Sequence, residues 1–149
     1  MLAAERKVSG ELEQTALRLN HAAIHLLRGL HVVDRETGVS PARLSALSVI
    51  VFGGPRTVGK LARAEQVAGP TMSRIVDGLV DLGLATRRPH PDSARMTLVT
   101  ATPAGTTLMV GARQRRIEVI ATALADTPES DRALIVAAAD ALAQLPKRL

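Results

Sequence analysis

The sequence predicts a mainly α chain of the α+β class, with six helices and one β-hairpin between the fourth and the fifth. Three observations predict it. Apolar residues recur at helical spacing along most of the chain. Two short β-prone runs flank a proline-rich turn. The apolar share is 46%, yet Phe52 is the single aromatic residue, so the core is Leu, Val, Ile and Ala. Such a core suits packed helices better than a β-sandwich.

Each element has its own warrant. In the first helix, Leu12, Ala16, Leu19, Ala23, Leu26, Leu30 and Val33 alternate spacings of four and three. That is a narrow coiled-coil seam, about three heptads long, with Gly38 as its stop. Ser40-Pro41 reads as N-cap and first residue of a second helix, which carries Leu44, Leu47, Val49, Ile50 and Val51 and ends at Gly53-Gly54-Pro55. Thr57 caps a short third helix, Val58 to about Glu65. A fourth runs from about Pro70 to Leu82, with Met72, Ile75, Val76, Leu79 and Val80 at helical spacing, and Gly83 closes it. Leu84–Arg88 and Met96–Ala101 then read as a two-stranded hairpin around a turn, Pro89–Ala94. Thr102-Pro103 starts a long helix to about Leu124, and Thr127-Pro128-Glu129 starts the last, ending near Leu145. The order is α-α-α-α-β-β-α-α. Helices two to four followed by a hairpin form the winged helix-turn-helix arrangement. The Ala-rich last helix is too apolar to stand alone in water and calls for a partner surface.

Composition narrows the function classes. Cysteine is absent, which excludes disulfides, thiol chemistry and Cys-based zinc sites. The first ten residues carry Glu5, Arg6 and Lys7 and no apolar h-region, so no secretion signal is expected. No apolar run approaches the ~18 residues of a membrane span, and a cytoplasmic location is expected. There is no Gly-rich phosphate loop and no G-x-S-x-G, so neither an enzyme nor a cofactor is expected. The net charge of +5 is uneven: residues 55–100 hold seven basic and four acidic side chains, against an excess of one in each flanking segment. A basic middle points to a polyanion there.

A helix-turn-helix reads DNA with its second helix, placing residues near the N-terminus against base edges. In the fourth helix the expected exposed positions are Thr71, Ser73, Arg74, Asp77, Gly78 and Asp81, with Pro70 at its start. Arginine can bind guanine bidentately, and Ser or Thr can meet bases or phosphates. A capped amphipathic helix with a solvated face would show the same pattern. The hairpin decides between them, because Arg87, Arg88, His90 and Arg95 place cations where a wing would meet the backbone or minor groove. Thr57 and Lys60 are candidates for backbone positioning.

The ordered set of segments resembles the MarR-type regulators. Leu44–Ile50 and Gly54–Ala62 look like their helices two and three, Pro70–Leu84 like their recognition helix and its exit into the wing, and Arg95–Gly105 like their second wing strand and the start of helix five. The resemblance implies a homodimeric regulator, a repressor relieved by a small anionic or aromatic effector, on a pseudo-palindromic operator in double-stranded DNA. It implies dimerisation helices at 1–39 and 103–149 around a DNA-binding lobe at 40–102. The chain departs from the pattern at the wing tip, where Ser93 and Ala94 replace the usual Asp and Arg and Asp92 is displaced by one. Gly69 also stands where a polar residue is common.

One stripe stays open. Arg18, His21, His25 and Arg28 share a face of the first helix. They form a solvated basic face or line an effector cleft. His21 and His25 at i, i+4 suit a metal only with a third ligand, and the sequence offers none, so no metal is assigned. A helical interaction protein that keeps the fold without binding DNA is the alternative function.

Overall fold

The computed structural model describes residues 9–148 apart from Asp92; the side chains of Ala94, Arg95 and Arg148 are outside the described set. The leader reading at residues 1–8 and the displaced Asp92 therefore lie outside the described residues. The elements are α1 (Gly10–Arg35), α2 (Pro41–Gly53), β1 (Arg56–Thr57), α3 (Val58–Ala64), α4 (Gly69–Asp81), β2 (Ala85–His90), β3 (Ser93–Ala101), α5 (Pro103–Ala125) and α6 (Glu129–Gln144), then a 3-10 turn, Leu145–Arg148.

Local chemistry sets most boundaries. Ser9 Oγ accepts from the Leu12 amide and caps α1, with Glu11 and Glu13 at its positive end and Arg35 at its negative end. Thr57 and Thr102 cap α3 and α5 by accepting from the amides of Lys60 and Gly105. Ser40 occupies the N-cap of α2 but its hydroxyl makes no capping bond, and the N-cap of α6 is Pro128, which offers no side-chain cap. Gly83 adopts φ +68°, the left-handed turn that ends α4.

The sheet corrects the sequence reading. It has three antiparallel strands, ordered β1-β3-β2, where two were expected. The added strand pairs Arg56 with Val99 and Thr57 with Leu98, anchoring the α2–α3 connection to the wing. The hairpin strands are also longer: β2 runs through Pro89 to His90, and β3 starts at Ser93, so the turn shrinks. Pro89 is tolerated because β2 is an edge strand, and the register slips beside it, between Pro89 and His90.

The core lies within the middle of the chain. Leu47, Leu61, Met72, Val76, Leu79 and Val99 are its largest fully buried side chains, and Met109 from α5 joins the cluster. By contrast α6 buries no residue, and the one buried residue of α1 is Asp34. Its carboxylate receives two bonds from Arg116, Nε to Oδ1 at 2.7 Å and Nη2 to Oδ2, tying the end of α1 to α5. The hydrogen bond and charge of Asp34 hold the Arg116 guanidinium above its ordinary range, against the opposing effect of partial burial.

A second joint fixes α5 to the wing root. Thr102 Oγ1 donates to the Gly83 carbonyl at 2.7 Å, and the Thr102 amide donates to the Leu84 carbonyl at 3.0 Å. Gly105 lies so close to that Leu84 carbonyl that any Cβ at 105 would overlap it.

Candidate nucleic-acid interface

The outer face of α4 follows from its sequence. Met72, Val76, Gly78 and Leu79 are buried, which turns Pro70, Thr71, Arg74, Asp77 and Asp81 outward. Two positions expected to be exposed are not: Ser73 is half-buried on the flank of this face, and Gly78 is buried because the Arg43 side chain lies against it. Arg74 extends from an exposed position and makes no ion pair among the described residues. Ala68 gives α4 no side-chain cap, so its first-turn amides keep no partner from the capping position.

The wing borders α4 on one side. Arg87 of β2 donates from Nη1 to Asp77 Oδ1 at 2.5 Å, with both side chains over a third exposed. Two residues predicted separately as DNA contacts are thus paired with each other, and the pair sets the wing against the recognition helix. Arg88 is exposed next to it, and His90 is half-buried at the strand end. The backbone of Arg95 lies in β3, but its side chain falls outside the described set.

On the other side α4 meets the first turn of α2. Thr71, Arg74, Ile75 and Gly78 share one stripe, and Ser40 and Arg43 face it across a shallow cavity of about 350 Å³ lined by Ser40, Arg43, Thr71, Arg74 and Ile75. Arg43 escaped the sequence reading, because nothing in its own segment marks it. Lys60 is exposed on α3, whereas the Thr57 hydroxyl is engaged as a cap at 3.3 Å from the Lys60 amide.

The basic stripe of α1 is elsewhere. Arg18, His21, His25 and Arg28 are exposed, and none of them lines the α2–α4 cavity or three further cavities along α5. The His21 and His25 Nε2 atoms are 3.0 Å apart, so one ring donates to the other. A cleft of about 350 Å³ does separate α1 and α5 from α2. Its polar lining is His31, Asp34, Ser45, Ser48 and Arg116. Among the described residues no helix is long and apolar enough to cross a membrane, and no group of three metal-ligating side chains occurs.

Comparison with known proteins agrees with this geometry. A model described as the MarR family matches residues 37–96. An HTH-type transcriptional regulator of Mycobacterium tuberculosis is 33% identical over 145 residues, covering 97% of this chain and 96% of the relative. A MarR family protein from Bacillus stearothermophilus superposes with a TM-score of 0.79 at 18% identity, covering 94% of this chain and 99% of that one. The F27L mutant of MepR from Staphylococcus aureus, solved bound to an oligodeoxyribonucleotide, gives 0.68 at 16% identity over 88% of this chain and 97% of that one. Helix order, wing and full-length sequence identity converge: this chain belongs to the MarR family of winged helix-turn-helix transcriptional regulators.

Proposed function

We propose that the chain works in the cytoplasm as a homodimer on a pseudo-palindromic duplex operator, repressing transcription until a small anionic or aromatic ligand releases it. One observation carries the DNA reading: the outer face of α4 is open at Thr71 and Arg74 and has arginines on both borders, Arg43 and Arg87. Base contacts fall to Arg74, with Pro70, Thr71 and Ser73 beside it in the first turn and Asp77 one turn on. Arg88, Arg95 and His90 follow the backbone along the wing, and Lys60 meets it from α3. That the MepR F27L mutant, a protein of the same fold, is bound to an oligodeoxyribonucleotide supports DNA as the ligand.

The dimer reading rests on exposed apolar surface. Leu12, Leu26 and Leu27 of α1 are over half exposed, as are Leu134 and Val136 of α6. A groove of about 640 Å³ between α1, α5 and α6 is lined almost wholly by apolar residues such as Leu19, Leu26, Ile120, Leu124 and Leu142. Residues 1–39 and 103–149 form the interface and 40–102 the reading lobe. A second copy answers both needs, covering this surface and supplying the second half-site about one turn of DNA (~34 Å) away. For the effector, the α1–α2–α5 cleft and the Arg18–Arg28 stripe are the two candidate sites, and titrating effectors against Arg18→Ala, His25→Ala and Arg116→Ala proteins separates them.

Selection of bound duplexes from a random pool tests the whole reading. A palindrome with half-sites about 10 base pairs apart is the expected result. Enrichment of no sequence, with salt-insensitive retention, would leave a helical interaction protein instead.

A further inference from the structure

We propose that Arg43, seated on Gly78, is a phosphate-contacting residue of the DNA interface: with the hydroxyls of Ser40 and Thr71 it forms a cationic socket between α2 and α4 for one backbone phosphate, beside the base-reading Arg74. The inference rests on the proposal that this chain binds duplex DNA.

Four features converge on it. Arg43 is half-buried, and its guanidinium lies flat across Gly78, so close that a Cβ there would overlap Nε and Nη2. It has no hydrogen bond and no ion pair with any described residue. The neighbouring carboxylate, Asp77, is engaged by Arg87 on the far flank of α4. Arg74 shares the cavity and is likewise unpaired, and the hydroxyls of Ser40 and Thr71 line it without intramolecular partners. Two unpaired cations lining one cavity repel each other, and the half-buried Arg43 has also lost part of its hydration. A phosphodiester bound to Arg43 offsets that repulsion, accepts from both hydroxyls and leaves Arg74 free for a base. The cavity opens on the same side as the exposed first turn of α4, where the strand flanking the major groove would pass. Contact with phosphate rather than with a base follows from position, since Arg43 stands beside the recognition helix and not on it.

A packing role for Arg43, its stem covering Gly78, is the competing explanation. The two separate experimentally. Full-length wild type, Arg43→Ala and Gly78→Ala are titrated with the selected duplex and with a random duplex over a range of salt, and their thermal midpoints are recorded. Loss of one phosphate contact lowers the log–log salt slope by about 0.9. Affinity should fall about ten-fold for Arg43→Ala, to the same degree on both duplexes. Gly78→Ala removes the seat while favouring the helix, so its midpoint should hold or rise while its affinity falls like that of Arg43→Ala. The double mutant should be no weaker than either single one. An unchanged slope in Arg43→Ala, or full affinity in Gly78→Ala, overturns the socket while leaving the DNA reading intact. Absence of duplex binding by wild type overturns both.

Discussion

Arg74 and Asp77 lie one turn apart on the same exposed face, yet their surroundings assign them opposite tasks. Arg74 is unpaired and free to reach a guanine edge. Its replacement by alanine should weaken specific binding by ~1–3 kcal/mol and relax selection at one base position. An identical sequence logo from a repeated duplex selection would remove it from the base-reading set. Asp77 holds Arg87 and repels phosphate. Asp77→Ala should therefore raise affinity for random duplex several-fold and lower the ratio of specific to random binding, as read by competition titration. Stability should shift by less than about 0.5 kcal/mol, since the pair is half exposed and screened. The neighbouring exposed Arg88, changed to alanine, should lower the salt slope by about one without altering sequence preference. Composition could point to these arginines, but it could not show which are committed to a carboxylate. Asp77 and Arg87 are ten positions apart, and Arg43 and Gly78 thirty-five, so their meeting depends on tertiary packing that no local pattern encodes.

At the scale of elements the sequence was informative where periodicity is long and poor where it is short. The helices match their expected spans to within a few residues because caps, prolines and apolar stripes agree. Strand β1 is two residues long and has no period to detect; it exists because Arg56 and Thr57 fall beside the open edge of β3. The wing strands run past their expected ends because an edge position admits Pro89. Glycines on α5 give a sharp test of the joint at its start. Gly105→Ala forces a Cβ into the Leu84 carbonyl and should destabilise the fold by about 2–3 kcal/mol. Gly111→Ala, two turns on, meets nothing nearer than Arg115 Nη1 at 3.5 Å and should be neutral or stabilising by up to about 1 kcal/mol. Urea denaturation of the two variants checks both signs, and equal effects would deny the close approach. The joint between Asp34 and Arg116 behaves differently with pH. Because Asp34 raises the Arg116 value, that stabilisation is complete throughout the neutral range and is lost only as pH climbs through the raised, strongly alkaline value. Removing Asp34 as alanine should cost about 2 kcal/mol, softened by the solvent access of Arg116.

For the whole molecule, the contrast between a well-packed middle and apolar, uncovered ends governs behaviour. If the proposed homodimer forms through these ends, a charged residue at Leu26 or Leu134 should convert it to monomer by sedimentation while helicity is retained. Operator affinity should then fall by orders of magnitude, because a single half-site binds too weakly to hold. A dimer that survives both substitutions would move the interface elsewhere. In the proposed dimer a partner helix decides what faces Arg18, His21, His25 and Arg28, which is why the periodicity of one chain carries no mark of an effector site on that stripe.

The clamp between Thr102, Gly83 and Leu84 makes α5 and the wing a single lever. A helix of 23 residues is about 35 Å long, so a tilt of ten degrees about the clamp displaces its far end by roughly 6 Å. In the proposed homodimer, the angle at which two such levers cross would act as a ruler for the separation of the two reading heads. Substitutions near Thr122 or Leu124, remote from any base pair, should then change which half-site spacing is preferred while each head keeps its sequence.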